Sequence, residues 1–318
     1  MSSSTSAHRE TSFENPFQIE DIMVFDDATL HKMLSSGSFG LTPENLRRSL
    51  QGTSTELVER IRRNMPPTQH PHFTEELRRP ATQAQIEAAR RQILANLFWE
   101  LTYWKTPELY EELTEGEQLH PGIFQQLEPD LQGRVVLDAG AGSGRASFEC
   151  VRHGARLVYA VEPAPGLLRI LEHKLASTST DRIVAYPGHF DELPLPDEHV
   201  DMAISCSAFT ATAEQGGESG LAELRRVTKQ GGKIVVIWPR EQDYDWLEAH
   251  GFTCVALPSQ QEMTVRFRSW QSALKCVQRF YAHNEAVVRY IRHQRLSEVP
   301  FSVLGVNPPC DYCWLAVT

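Results

Sequence analysis

The sequence predicts an α/β fold, a doubly wound parallel sheet that follows a helical N-terminal region. After Leu131, short apolar runs of strand character alternate with helical patterns, which is typical of a parallel sheet with helices on both faces. Before that point helix start signals recur and strand patterns are nearly absent. A length of 318 residues is also compatible with about two structural units. We therefore expect a disordered tail over residues 1–14, a helical region over 15–125 and the sheet domain over 126–318.

The charge balance and the hydropathy argue against several classes of protein. The chain has 31 basic and 41 acidic side chains, a formal net charge of −10, which gives no basic field for nucleic acid. It contains no run of about 18 apolar residues, so we expect no transmembrane helix. The opening segment MSSSTSAHRETS lacks the apolar core of a signal peptide. We expect a cytoplasmic protein that binds neither nucleic acid nor membrane.

The six cysteines are expected to be reduced thiols, because disulfides are rare in the cytoplasm. Cys310 and Cys313 form the single C-x-x-C pair. A structural zinc site needs about four ligands, and no second C-x-x-C pair accompanies this one. We predict no metal site and interpret the pair as two unrelated thiols.

The N-terminal helices are predicted from their start signals and their periodicity. Thr42 and Thr106 are each followed by proline and glutamate, which indicates an N-cap, a first helical position and an acidic first turn. Between them, apolar residues recur at nearly helical spacing over residues 86–103, which predicts one long helix there.

The sheet domain is predicted to alternate strands with helices to its end. Apolar runs predict strands at residues 134–137, 157–161, 183–186, 201–205, 233–238, 253–257 and 313–317. Helical patterns lie at residues 146–153, 165–176, 218–228, 243–250 and 269–295.

The segment between the first predicted strand and its helix is a glycine loop. Asp138 is followed by Gly140, Gly142 and Gly144, which allow tight turns and close approach of a ligand to the main chain. The N-terminus of the next helix attracts a negative group, so the loop suits a dinucleotide or an adenosyl amino acid. A dinucleotide loop has the spacing G-x-G-x-x-G, and that register requires glycine where Arg145 stands.

The observed spacing D-x-G-x-G-x-G resembles the nucleotide-binding signature of the class I, Rossmann-like S-adenosylmethionine-dependent methyltransferases. The order of the later elements is similar to that family over about residues 130–318. The resemblance implies a Rossmann-like sheet of order 3-2-1-4-5-7-6 with the last strand antiparallel. It also implies S-adenosylmethionine as the cofactor.

The resemblance further implies which residues hold the cofactor. In that family an acid at the end of the second strand binds the ribose hydroxyls, and Glu162 stands at that position. Many members carry aspartate in the adenine segment where this chain has His189, so His189, the Phe190 backbone and Asp191 are alternatives for the adenine contact. The expected cofactor site is Tyr103, Asp138, Gly140, Ala141, Gly142, Gly144, Glu162, Pro163, His189, Phe190 and Cys206.

The helical region is expected to form a lid over the carboxyl ends of the strands. A tyrosine of such a lid often touches the methionine moiety in related small-molecule methyltransferases, and Tyr103 and Tyr110 are our candidates. Tyr103 is therefore also a candidate catalytic residue. His120 is a candidate base, and its alternative interpretation is a capping or surface histidine on a loop.

The leading functional hypothesis is methyl transfer to a small molecule that binds between the helices and the sheet. A methyltransferase acting on a protein or peptide is the second, with RNA disfavoured by the acidic balance. The third is a binding protein that keeps the fold without turnover, although Asp138, the glycines and Glu162 argue for an intact cofactor site. A nicotinamide-dependent oxidoreductase ranks below these, because its glycine spacing is not present.

Overall fold

The computed structural model describes residues 15–178, 180–259, 261–281 and 284–318. The tail predicted over residues 1–14 lies outside them. Within the described residues, the chain forms a seven-stranded sheet with flanking helices and a second, mainly helical body. In these ranges we find no helix whose length and apolar character would allow it to cross a membrane.

In the part of the chain that the structure describes, seven α-helices with short connections come before residue 117. The N-cap predicted at Thr42 is confirmed, because its hydroxyl accepts a hydrogen bond from the Asn45 N–H at 3.3 Å. Thr106 also precedes a helix, but its hydroxyl donates to the Thr102 carbonyl oxygen instead. These helices are α1 (Asp27–Ser36), α2 (Pro43–Ser49), α3 (Thr55–Asn64), α4 (His70–Leu77), α5 (Gln83–Asn96), α6 (Phe98–Lys105) and α7 (Pro107–Gly116).

The single helix predicted over residues 86–103 is wrong, because Leu97 separates α5 from α6. Leu97 has φ −86° and ψ 3°, outside the helical range. Leu97 is fully buried, as are Ile93 before it and Leu101 after it. The apolar period therefore continues across the break, which is why the sequence pattern does not reveal it.

The remaining elements alternate between strands and helices. The strands are β1 (Val135–Ala139), β2 (Leu157–Glu162), β3 (Ile183–Pro187), β4 (Val200–Cys206), β5 (Thr228–Ile237), β6 (Thr253–Ala256), β7 (Thr264–Arg266), β8 (Glu298–Pro300) and β9 (Asp311–Ala316). The helices are α8 (Pro121–Leu131), α9 (Arg145–Arg152), α10 (Pro165–Thr178), α11 (Gly217–Val227), α12 (Tyr244–Ala249), α13 (Trp270–Phe280), α14 (Glu285–Gln294) and α15 (Phe301–Leu304).

The large sheet has the order β3-β2-β1-β4-β5-β9-β6. The strands from β1 to β5 pair in parallel, and β9 is antiparallel to both of its neighbours. Since β9 is the seventh strand of this sheet along the chain, the predicted fold class and strand order are confirmed. β1 lies between β2 and β4, and all of its residues are buried. The glycine loop therefore leaves the sheet at its centre.

The segment between β6 and β9 packs on the N-terminal helices. It contains the antiparallel pair β7–β8 and the helices α13 to α15. Its buried side chains Val277, Phe280 and Phe301 share one hydrophobic core with Phe98 and Leu101. The helical body is therefore built from two separate stretches of the chain, one before the sheet and one before its last strand.

Helix α8 crosses the position at residue 125 where we expect the sheet domain to begin. Its apolar residues Ile123, Phe124 and Leu127 are buried in a core that also contains Val136 of β1. The part of the chain that packs on the sheet therefore begins with this helix.

The expectation of reduced thiols is wrong for one pair, because Cys254 and Cys313 form a disulfide bond. β6 and β9 are antiparallel and place these two residues directly opposite each other. Opposite residues of antiparallel strands have Cβ atoms about 4.5–5.5 Å apart, close enough for bonding after a small adjustment. Cys310, the other member of the C-x-x-C pair, is a free thiol.

Candidate functional site

A cavity of about 720 Å³ lies at the carboxyl ends of β1, β2 and β4. Helices α1, α6 and α7 line its opposite side, so the cavity separates the sheet from the helical body. Ligands of open α/β sheets bind at this edge. Most of the predicted site residues line the cavity, namely Tyr103, Asp138, Gly140, Ala141, Gly142, Glu162, Pro163, His189, Phe190 and Cys206.

The three glycines of the loop have different surroundings. Gly142 has φ +56°, lines the cavity, and would place a Cβ in open space with no atom within 4 Å. A Cβ on Gly140 would lie 2.5 Å from the Ala208 Cβ, and one on Gly144 would lie 2.6 Å from the Leu171 side chain. Gly142 therefore leaves room for a ligand beside the main chain, whereas Gly144 allows the loop to pack against α10.

Asp138 lies below the glycine loop and is fully buried. Its Oδ2 accepts a hydrogen bond from Ser147 Oγ at 2.5 Å, and its Oδ1 has no hydrogen-bond partner among the described residues. Burial raises the pKa of this carboxyl to about 6. A buried acceptor without a partner is costly, so this wall of the cavity favours a ligand that brings a donor group.

Glu162 ends β2, and its carboxylate is oriented by two backbone groups. Oε2 accepts a hydrogen bond from the Gly142 N–H and Oε1 accepts one from the Ala164 N–H, both at 2.8 Å. Burial raises the pKa of Glu162 to about 7, although the two N–H donors favour its charged form. Each carboxylate oxygen has a second lone pair, so Glu162 retains the capacity to accept from ligand hydroxyls.

The three alternatives for an adenine contact have different environments. Asp191 forms an ion pair with Lys32 of α1, which connects the helical body to this loop. The Phe190 ring packs edge-on against Phe209, with the ring centroids 5.5 Å apart. Burial, and then the charge of Lys32, lower the pKa of His189, so its ring is neutral and has one donor and one acceptor nitrogen.

Helices α6 and α7 contribute Glu100, Tyr103 and Tyr110 to the cavity wall. The two tyrosine rings are in contact, with centroids 4.7 Å apart. Burial raises the pKa of both hydroxyls above the usual value, so they remain protonated donors. Burial also raises the pKa of Glu100 to about 7.

Glu100 is absent from the predicted site, although its spacing of three from Tyr103 places both residues on one face of the helix.

Arg145 is a second residue that the sequence reasoning missed, and it joins the sheet edge to the helical body. Its guanidinium donates to the Glu117 carbonyl oxygen and to Ser207 Oγ, both at 3.1 Å. It also lies 3.6 Å from Glu117 Oε2, and 5.8 Å from the centre of the Trp238 ring. The available signal was a basic residue directly after the glycine loop, at the start of α9.

Cys206 ends β4 and lies beside Arg145, with 3.6 Å between its Sγ and the guanidinium. Burial raises the pKa of this thiol, although Arg145 opposes the shift. The thiolate is the nucleophilic form of cysteine. Because its raised pKa keeps Cys206 in the thiol form, it lines the cavity as a neutral group and does not act as a nucleophile.

His120 does not line this cavity, but an adjacent one of about 650 Å³ beside α7 and α8, which shares Thr114, Ser143 and Arg145 with the first. Its Nδ1 accepts a hydrogen bond from the Gly122 N–H at 3.1 Å, in the N-cap position of α8. The structure therefore does not place His120 in the cavity that Tyr103 lines, although Ser143 of the glycine loop lines both cavities. His120 is instead a helix-capping histidine, which is the alternative to a catalytic base in the sequence analysis.

Comparison with protein families finds two matches in different parts of the chain. Residues 136–232 match the model of a methyltransferase domain, a range that runs from β1 to the middle of β5 and includes the glycine loop and Glu162. Residues 8–98 match the model of the FliG C-terminal domain, which coincides with the first helices.

Curated relatives are similar to parts of the chain. The histone-arginine methyltransferase CARMER of Anopheles gambiae is 46% identical over 77 residues, which are 24% of this chain and 12% of that protein. CARMER of Drosophila persimilis is 33% identical over 188 residues, 58% of this chain and 34% of that protein. An uncharacterized methyltransferase of Geobacillus thermodenitrificans is 29% identical over 135 residues, 40% of this chain. The chain spans at most 60% of the length of these relatives.

Comparison with solved structures matches the chain to the YcgJ protein of Bacillus subtilis and to a putative methyltransferase from Bacillus halodurans, among others. The first is 12% identical with a TM-score of 0.42, and covers 61% of this chain and 95% of its own. The second is 14% identical with a TM-score of 0.40, and has the same coverage.

Proposed function

We propose that this chain, which carries a domain of the class I, Rossmann-like S-adenosylmethionine-dependent methyltransferases, transfers a methyl group to a small molecule bound beneath its helical body. The observation that carries the proposal is a single cavity lined by the glycine loop, by Glu162 and by Tyr103. Its volume of about 720 Å³ suits a cofactor together with a small acceptor, because small-molecule sites range over about 300–1,000 Å³.

S-adenosylmethionine is the cofactor of this domain, and the residues of the cavity fit it. Gly142 leaves open space beside the main chain, and Asp138 offers a buried oxygen without a donor. Glu162 is oriented to accept ribose hydroxyls. Among the described residues, Glu100, Asp138 and Glu162 have no ion-pair partner, and a wall of this sign attracts a ligand that carries a sulfonium and an ammonium group.

When bound, the cofactor supplies a methyl group that its sulfonium has already activated. The chain's own contribution is then to hold the acceptor in line and to limit access of water, a role that falls to α1, α6 and α7 because they line the side of the cavity opposite the sheet. Alignment of this kind contributes roughly 7–11 kcal/mol to a bimolecular reaction. Tyr103 takes part as a hydrogen-bond donor, because its raised pKa prevents it from acting as a base near neutral pH.

A second candidate acceptor is an arginine side chain of a protein or peptide. Its support is the similarity to two histone-arginine methyltransferases, and the longer of these two matches extends over 188 residues. The carboxyl groups of Glu100 and Asp138, which have no ion-pair partner among the described residues, would also favour a cationic acceptor. The helices α1, α6 and α7 along the side opposite the sheet favour the small molecule, because they narrow the path by which a peptide would reach the sheet edge.

The test is a transfer assay with S-adenosylmethionine labelled in its methyl group. The purified chain is incubated separately with the small-molecule fraction and the protein fraction of a cell extract, and label is measured in each. We expect label in the small-molecule fraction, and none with the Gly142→Val variant. Label in the protein fraction alone would support the second candidate. Cofactor binding without transfer to either fraction would contradict both and leave a non-catalytic binding protein.

A further inference from the structure

Glu100 is a carboxyl group of the cavity wall that the chain itself leaves without a partner. It lies on α6, lines the cavity, and forms neither a hydrogen bond nor an ion pair with any described residue. The lysine and the arginine among the described cavity-lining residues, Lys32 and Arg145, are already paired with Asp191 and Glu117. No cation of the described chain therefore compensates Glu100.

The position of Glu100 places it on the side of the cavity where β2 ends. Its charge contributes to the raised pKa of both Tyr103 and Glu162, so it lies near both groups. The pKa of Tyr110 on α7 is affected by Glu162 as well, and by Arg145 and Cys206. Helix α6 also passes close to the start of α10, since a Cβ on Gly166 would lie 2.9 Å from the Tyr103 carbonyl oxygen.

A partly buried carboxyl group without a partner destabilises the ligand-free fold. The neighbouring acid differs in this respect, because both oxygens of Glu162 accept hydrogen bonds from backbone N–H groups. A ligand in the cavity therefore contacts two different carboxyl groups. Backbone N–H groups already orient Glu162, whereas Glu100 has no hydrogen-bond donor from the described chain.

We propose that Glu100 is a cofactor-binding residue, whose carboxylate accepts a hydrogen bond from a donor group of bound S-adenosylmethionine and so connects α6 to the occupied cavity. The donor is a ribose hydroxyl or the α-ammonium group, both of which a carboxylate accepts. This inference rests on the proposed function, because it requires that the cavity binds this cofactor. It makes the helical body part of the cofactor site as well as a cover for the acceptor.

The test compares Glu100→Gln with the wild-type full chain by calorimetry at pH 8. The ligand is S-adenosylhomocysteine, which has the ribose and the ammonium group and is not turned over. Loss of a hydrogen bond to a charged group weakens binding by about 10- to 100-fold. Glu108→Gln is the matched control, because Glu108 lies on the next helix with a side chain that is 73% exposed. We expect its affinity to equal that of the wild type.

Thermal unfolding of the ligand-free variants separates a binding role from a structural one. At pH 8 the Glu100 carboxylate is charged and unpaired, so we expect Glu100→Gln to unfold at the wild-type temperature or above it. Weaker binding with unchanged or higher stability supports the proposal. Unchanged binding overturns it, and so does weaker binding that accompanies a lower unfolding temperature. A wild-type chain that binds no S-adenosylhomocysteine would instead contradict the proposed function.

A second ligand identifies the donor group. 5′-Methylthioadenosine keeps the ribose and lacks the ammonium group. If Glu100→Gln weakens its binding as strongly as that of S-adenosylhomocysteine, the proposal holds with a ribose hydroxyl as the donor. If the variant weakens the binding of S-adenosylhomocysteine alone, the proposal holds with the ammonium group as the donor.

Discussion

The Gly142 N–H donates a hydrogen bond to Glu162 Oε2 at 2.8 Å, which joins the loop after β1 to the end of β2. The two features by which the sequence resembles its family, the glycines and the following acid, are therefore parts of one hydrogen-bonded unit. The carboxylate fixes the loop, and the loop N–H orients the carboxylate. A change at either residue is expected to disturb the position of the other.

Replacement of Gly142 by valine is expected to abolish cofactor binding while the fold persists. A valine Cβ would enter the open space of the cavity, and φ +56° would cost roughly 1–2 kcal/mol for a residue with a Cβ. Gly133→Val is the matched control, since Gly133 has φ +70° and is exposed in a turn outside the cavity. We expect calorimetry to show at least about 100-fold weaker binding for Gly142→Val alone. If both variants lose the same amount of cofactor affinity, the effect comes from backbone strain and not from the filled cavity.

The Glu162 carboxyl makes the stability of the ligand-free protein depend on pH. Its pKa is raised from 4.5 to about 7, so the folded state keeps a proton that the unfolded state has lost between these values. Stability from this group is therefore complete below about pH 4.5 and decreases as the pH rises to about 7. We expect the unfolding temperature of Glu162→Gln to decrease less than that of the wild type between pH 5 and pH 8. Parallel curves for the two proteins would contradict this pKa.

Cofactor affinity is expected to show the opposite trend over the same range. The charged form of Glu162 is the better acceptor for ribose hydroxyls, so protonation competes with binding. We expect the affinity for S-adenosylhomocysteine to decrease as the pH falls from 8 to 6, with proton release on binding near pH 7. Calorimetry in two buffers of different ionisation enthalpy measures the released protons. Binding without proton release would show that both Glu162 and Glu100, whose pKa is also raised to about 7, are already charged in the ligand-free protein.

The fold was predictable from local patterns, whereas the helical body depended on contacts between distant segments. The glycine loop and the alternation of strands with helices identify the sheet, because each signal lies within a few residues. The apolar face of α13 shows that Val277 is buried, but no local pattern shows that it packs with Phe98. Cys254 and Cys313 are 59 residues apart, and only the pairing of β6 with β9 brings them together.

The candidate site was predictable where its residues follow a motif. Asp138, Gly142 and Glu162 stand at fixed positions relative to strands. Glu100 belongs to no motif, and its placement depends on how α6 lies against α10. Arg145 does follow the glycine loop, but its role is defined by Glu117, which comes from the helical body.

Removal of the Tyr103 hydroxyl is expected to weaken cofactor binding without changing the pH profile of turnover. Burial raises the pKa of Tyr103 far above neutrality, so the hydroxyl acts as a donor throughout the assay range. Loss of one neutral hydrogen bond costs about 1 kcal/mol, which corresponds to roughly fivefold in affinity for Tyr103→Phe. Tyr290→Phe on α14, outside the cavity, is the control. A shifted pH optimum for Tyr103→Phe would instead identify proton transfer by this residue.

The N-terminal helices cover a surface of the later helical segment. Val277, Phe280 and Phe301 belong to the same core as Phe98 and Leu101. Deletion of the N-terminal helices alone would expose these side chains, and large exposed apolar patches cause self-association. The ends of the later segment are adjacent, because the Phe301 N–H donates to the Met263 carbonyl oxygen at 3.1 Å. A short linker across residues 264–304 is therefore compatible with the sheet.

Deletion of residues 1–118 is expected to yield an aggregated protein, whereas the additional removal of residues 264–304 restores a folded monomer. The double deletion retains α8 and the sheet, whose core contains Ile123, Phe124 and Val136. It lacks Tyr103 and the cover of the cavity, so we expect no methyl transfer. Size-exclusion chromatography and thermal unfolding measure the first two outcomes, and the labelled-methyl assay measures the third. A soluble, active product of the first deletion would contradict both the shared core and the role of the helices in the site.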